Sequence, residues 1–205
     1  MARTDLHTDF VTRTATLGVV LIMAAFLYAC GSQPVSQSGT DKPAADLRVD
    51  SSVQEKFDSA IVALNAGDFD LAISLLNEVI AAEKRIAAPY VNLGMAYARK
   101  GNNKQAEEYL RKAVDLDSGN PVANNELGML YRKMGQFDNA RHAYEKALAS
   151  HADYLPAIKN LGILCDIYLH DTSCALKQYE QYLEYVPDDK TVSIWVADIK
   201  RRVGQ

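Results

Sequence analysis

The chain has 205 residues, 48% of them hydrophobic and 23% charged, with a formal net charge of −4 at pH 7. So slight an acidic excess gives no electrostatic footprint for nucleic acid. The first element is residues 17–29, LGVVLIMAAFLYA, an almost unbroken apolar run. It falls short of the roughly 20 residues that a membrane-spanning helix needs. Arg3 and Arg13 precede it, with Asp5 and Asp9 interspersed, and its length is that of a signal-peptide core.

The run ends in Leu27-Tyr28-Ala29-Cys30-Gly31. This resembles the bacterial lipobox, in which a small residue precedes a cysteine that is lipidated and becomes the mature N-terminus. Tyr28 departs from the small or aliphatic residue usual at its place. The resemblance implies a signal peptide over 1–29 and acyl chains, palmitate among them, on Cys30. The alternative is an ordinary secretory signal beside a stray cysteine. Gly31 and Ser32 follow, with no Asp, which in the lipoprotein family implies the periplasmic face of the bacterial outer membrane. Several acyl chains on one residue exceed the two-signal requirement for stable anchoring. Residues 30–52, rich in Ser, Gln and Pro, have too little apolar surface to build a core and read as a disordered tether. A flexible chain of about 20 residues has a root-mean-square reach of roughly 25 Å.

From residue 53 the sequence repeats itself. Leu93-Gly94 returns as Leu127-Gly128 and then Leu161-Gly162, each time 34 residues on. Tyr97 returns as Tyr131, Gly101 as Gly135, Ala106 as Ala140, Leu110 as Tyr144 and Ala113 as Ala147. Upstream, Gly67, Ala72, Leu76 and Val79 hold the corresponding places. Leu93 and Tyr97 share one face of a first helix, and Ala106, Leu110 and Ala113 recur at helical spacing on a second. Gly101 and Gly135 mark the helix stops. Asp70 and Asp138 are expected N-caps of the second helices. Pro121 suits a helix start, where its missing N–H costs nothing.

These residues resemble the tetratricopeptide repeat (TPR) family pattern of alternating large and small positions. The resemblance implies an all-α solenoid of about four helix-turn-helix repeats, over 53–86, 87–120, 121–154 and 155–189. The first repeat is the weakest copy, with Ser59-Ala60 in place of Leu-Gly, as suits a terminal unit. The fourth carries one extra residue, expected in the inter-helix turn, where Leu169 replaces the turn glycine. Cys165 takes the Tyr97/Tyr131 place and Cys174 starts the second helix. In the oxidising periplasm that export implies, a pair flanking a tight turn reads as a disulfide. The alternative is two separate cysteines acting as small hydrophobes.

Residues 190–205 form a closing helix whose stripe is Val192, Trp195, Val196 and Ile199, with Trp195 expected on Tyr179 and Leu183. Asp188 or Asp189 caps it, and Lys200, Arg201 and Arg202 complement its dipole. The alternative, a basic membrane-binding helix, has a short cationic face interrupted by Asp198.

Little in the chain points to catalysis. His142, His151 and His170 are scattered. His170, Asp171, Cys174 and Cys165 gather near one turn, but their spacing fits no common zinc pattern. There is no phosphate-cradling glycine loop, nucleophile elbow or metalloprotease helix. The reading is therefore a non-enzymatic chain, with no cofactor, metal or small-molecule substrate. The TPR resemblance instead implies a concave groove for a protein or peptide. Its positions here are Val91, Asn92, Met95 and Arg99, then Asn125, Glu126, Met129, Arg132 and Lys133, then Lys159, Asn160, Ile163 and Asp166. Met95, Met129 and Ile163 make an apolar floor, and Arg99, Arg132 and Lys133 a basic rim; the alternative for each cation is a plain solvated face. Val91, Met95 and Glu126 stand where the chaperone-adaptor carboxylate clamp needs polar or basic groups, which argues against a chaperone-tail receptor. TPR lipoproteins of this build resemble pilotins of type IV pilus secretins and companions of TonB-type energy transducers. That implies an adaptor for an envelope machine; the alternative is a regulator that binds a peptidoglycan enzyme.

Overall fold

The structure, a computed structural model, describes residues 50–204. The expected signal peptide, Cys30 and the expected tether up to residue 49 lie outside the described residues. Nine α-helices and one π-helical turn make up the rest, and no strand occurs among the described residues. They are α1 (Ser51–Ala66), α2 (Phe69–Ala82), α3 (Ala87–Arg99), α4 (Asn103–Leu116), α5 (Pro121–Lys133), α6 (Phe137–Ser150), α7 (Leu155–Ile163), the π turn Leu164–Tyr168, α8 (Thr172–Tyr185) and α9 (Lys190–Val203). Successive helices pair as antiparallel hairpins, and each hairpin packs on the next. One hairpin has too little apolar surface to stand alone, so stability resides in these stacked contacts.

The repeated small residue has a steric cause. A Cβ on Gly128 would lie 2.5 Å from the Tyr144 ring, and one on Gly162 2.6 Å from the Tyr179 ring. Only a bare Cα lets the large residue of the second helix lie against the first. Tyr144 and Tyr179 are thereby fully buried, as are Leu110, Ala106 and Ala140.

Three sequence-based expectations are corrected. First, α1 starts at Ser51, within the segment assigned to the tether, because the Asp50 carboxylate accepts from Ser52 N at 2.8 Å and caps it. Second, the caps of the second helices stand earlier than Asp70 and Asp138. They are Asp68, Asn102, Gln136 and Asp171, and all but Gln136 accept a backbone N–H through the side chain. Asp70 and Asp138 sit inside the first turn, where a negative charge still suits the dipole. Third, the extra residue of repeat four lies in the first helix, not in the turn. Left-handed backbone falls at Gly101 and Gly135, but next at His170 (φ 53°) and not at Leu169. The π turn absorbs the added residue, with Leu169 N donating to Leu164 O, five residues back, at 3.1 Å. Beyond it, Asp171 N donates to Cys165 O at 2.8 Å.

Cys165, in the π turn, is bonded to Cys174 in the first turn of α8, with Cα atoms 5.8 Å apart. Asp189 caps α9 by accepting from Thr191 N and Val192 N. Val192, Val196 and Ile199 are buried, and Trp195 lies tilted on Tyr179 with ring centroids 5.2 Å apart. Leu183 is half-buried in the same cluster. The three terminal cations are paired, Lys200 with Glu180, Arg201 with Asp198, and Arg202 with both Asp166 and Asp198. Their charge is compensated within the fold, which leaves little for a membrane surface.

Candidate protein-binding groove

The first helices of neighbouring repeats touch one another, α1 on α3, α3 on α5 and α5 on α7, whereas the second helices form no comparable layer. The first helices therefore line the inner side of the stack. Two depressions open there. One, of about 430 Å³, lies between α1 and α3 and includes Ile61, Leu64, Asn92, Met95 and Arg99. The other, of about 190 Å³, lies between α3 and α5 and includes Met95, Arg99, Glu126, Met129 and Lys133.

Met95 and Met129 are half-buried, each with one side in the core and the other toward the groove. Met129 Sδ lies 3.6 Å from Asn125 Nδ2. Ile163 is half-buried on α7, in the same register. Asn92 donates to the Ala88 carbonyl at 2.9 Å and keeps part of its surface open. Arg99 and Lys133 are exposed, and Lys133 Nζ reaches the Ala98 carbonyl at 3.2 Å. Arg132 lies over the Tyr168 ring, 5.9 Å from its centroid.

Five predicted contact residues are engaged within the stack. Val91 is 4% exposed and belongs to the core. Asn125 is 3% exposed, and its Oδ1 accepts from Asn160 Nδ2 at 3.0 Å, bridging α5 to α7. Their burial removes both from a partner's reach. Lys159 binds Asp189 Oδ2 at 2.9 Å and lies over the rings of Tyr182 and Trp195, clamping α9 in place. Asp166 is likewise held, by Arg202 at 2.8 Å.

Electrostatics sets two further groups apart. Burial pushes the Glu126 carboxyl above the ordinary carboxylate range, against the opposing pull of Asn125 and Arg99. The Tyr144 hydroxyl is buried without a hydrogen-bond partner, and desolvation makes it a still weaker acid. Sequence reasoning missed Ile167 and Tyr168, which are 58% and 41% exposed, with the Tyr168 ring tilted against Phe137 at a centroid distance of 4.9 Å. The one signal for them was the added residue, since the π turn displaces both from the repeat register. The sulfurs of Cys165 and Cys174 lie close to the Asp171 carboxylate but are bonded to each other, so they offer no thiolate to a metal.

The family profile described as "Tetratricopeptide repeat" matches residues 85–150. The chain is 31% identical over 126 residues to the Guillardia theta "Uncharacterized protein ycf37", covering 59% of this chain and 70% of that protein. The chain belongs to the tetratricopeptide repeat family. It is also similar to the "Type IV pilus assembly protein PilF" of Pseudomonas aeruginosa, 29% identical over 99 residues, covering 48% of this chain and 38% of that protein. Against "Anaphase-promoting complex subunit 3" of Schizosaccharomyces pombe it is 28% identical over 56% of this chain, but spans only 17% of that protein. Among solved TPR structures, P. aeruginosa pilF superposes with a TM-score of 0.69 at 19% identity, covering 75% of this chain and 69% of that one. A MamA protein does so with a TM-score of 0.64 at 24% identity, covering 75% of this chain and 83% of that one. At such identities the likeness establishes the shared TPR fold. TPR proteins are scaffolds for protein–protein interaction, and the inner face described above is where this one offers apolar floor and unpaired charge together.

Proposed function

We propose that this TPR chain is a non-enzymatic adaptor that holds a protein or peptide on the α3–α5 stretch of its inner face. It is carried on a lipid at Cys30 to the periplasmic face of the bacterial outer membrane, and there supports assembly of a type IV pilus or secretin-like machine. The observation that carries the reading is the depression lined by Met95 and Met129, whose flexible thioethers adapt to an apolar side chain. Similarity to PilF, a pilus assembly protein by name, favours this envelope machine. The lipobox-like Leu27-Tyr28-Ala29-Cys30 supports the anchor.

Affinity capture from crosslinked membranes tests the reading. The Met129→Glu variant should lose its partner while its thermal melting curve stays nearly unchanged. Recovery of secretin or pilus subunits with the wild type supports the machine named here. A large loss of stability in the variant would instead assign Met129 to the core.

A further inference from the structure

The groove carries more positive charge than its own acids compensate. Among the described residues, no carboxylate lies within ion-pair distance of Arg99, Arg132 or Lys133. Lys133 spends one proton on a backbone carbonyl and Arg132 faces an aromatic ring, and neither contact neutralises a charge. The acids of the same face are otherwise placed. Asp166 is held by Arg202, and Asp58 stands a repeat away, accepting from Gln54. Glu126, half-buried in the α3–α5 depression, feels Arg99, and so stands as one carboxylate against three cations. Between the cations runs the row Ile61, Met95, Met129 and Ile163, one residue from each first helix, all half-buried. Other turns between paired helices are polar, as at Asn102 and Asn103, but the π turn leaves Ile167 and Tyr168 exposed, with the Tyr168 ring under Arg132.

From this we infer that the groove's occupant is an acidic amphipathic segment of a partner protein. Its carboxylates lie on Arg99, Arg132 and Lys133, and its apolar side chains rest on Met95 and Met129. The inference rests on the groove reading above and adds the partner's chemistry. Unpaired guanidinium groups beside a low-dielectric floor favour carboxylates in bidentate geometry and repel a basic segment. Tyr168 adds an aromatic edge for an apolar residue next to the carboxylate on Arg132.

A photo-crosslinking amino acid placed at Met95 of the full chain, in the protein's own cells, tests it by identifying the bound peptide by mass spectrometry. The expected product is a segment of net negative charge. Its yield should fall by about tenfold or more in the Arg99→Glu, Arg132→Glu double variant, with thermal melting essentially unchanged. A neutral or basic segment, or a yield that survives both charge reversals, overturns the inference while leaving the groove reading intact. No crosslink from Met95, together with partner capture unaffected by Met129→Glu, overturns the groove reading itself.

Discussion

Gly128 and Glu126, two residues apart on α5, face opposite demands. Gly128 exists to be absent, since a Cβ there would sit 2.5 Å from the Tyr144 ring. Gly128→Ala should therefore cost about 1–3 kcal/mol in urea denaturation, the usual cost of overpacking. Gly119→Ala is the control, because its nearest neighbour would be an ordinary 3.5 Å away. Glu126 illustrates the cost of a buried charge. Its carboxyl titrates above the ordinary range in the fold, so the folded state binds its proton more tightly than the unfolded chain. Stability consequently declines as pH rises from the unfolded to the folded pKa. Glu126→Gln should raise the melting temperature at pH 7, and the gain should vanish below about pH 4, where the carboxyl is protonated in both states. Asp171 behaves oppositely. The backbone N–H of Cys174 and the Arg141 guanidinium hold its carboxyl below the ordinary value, so its contribution is present at neutral pH and lost in acid.

At the scale of elements, the π turn and its disulfide form one device. An added residue would rotate everything after it by about 100° if α7 continued as an α-helix. The wider turn absorbs it, so α8 starts in register and Ala175 and Tyr179 reach the places that Ala140 and Tyr144 hold one repeat earlier. The Cys165–Cys174 bond ties this turn to the start of α8. Closing so short a loop constrains the unfolded chain by about 2–3 kcal/mol in the loop-entropy model. The Cys165→Ala, Cys174→Ala variant should lose that amount in urea denaturation while keeping its helical content. Wild-type protein under a dithiol reductant should match it. Helical content survives because Asp171 still caps α8 and its own N–H still reaches Cys165 O.

For the molecule as a whole, stability comes from stacked hairpins, whereas location, in the proposed function, falls to a separate segment around Cys30. Among the described residues, α1 is capped by Asp50 and α1 to α9 pack against one another. Cys30→Ala should thus shift the protein out of the membrane fraction with no loss of helical circular dichroism. Unfolding in that variant would show that the anchor also supports the fold. Among the described residues no helix is long and apolar enough to cross a membrane.

The repeat was legible because a close helix crossing demands a small residue opposite a large one at a fixed helical spacing. Gly94, Gly128 and Gly162 recur with Leu110, Tyr144 and Tyr179 for that reason, and each pair lies within a single hairpin. The hollow face was legible only in outline. Met95, Met129 and Arg99 were readable from the register, but the same register also nominated Val91, Asn125 and Lys159. Whether those three are open depends on tertiary packing, which buries Val91 in the core, meets Asn125 with Asn160 of α7, and brings Asp189 and Trp195 of the closing helix to Lys159. The location of the added residue was decided the same way: turn and helix can both absorb an insertion, and only the packing of α8 beneath Gly162 selects the helix. Contacts made inside one hairpin follow from the local sequence. Contacts made between hairpins follow from the stack, because their partners are remote along the chain and obey no local period.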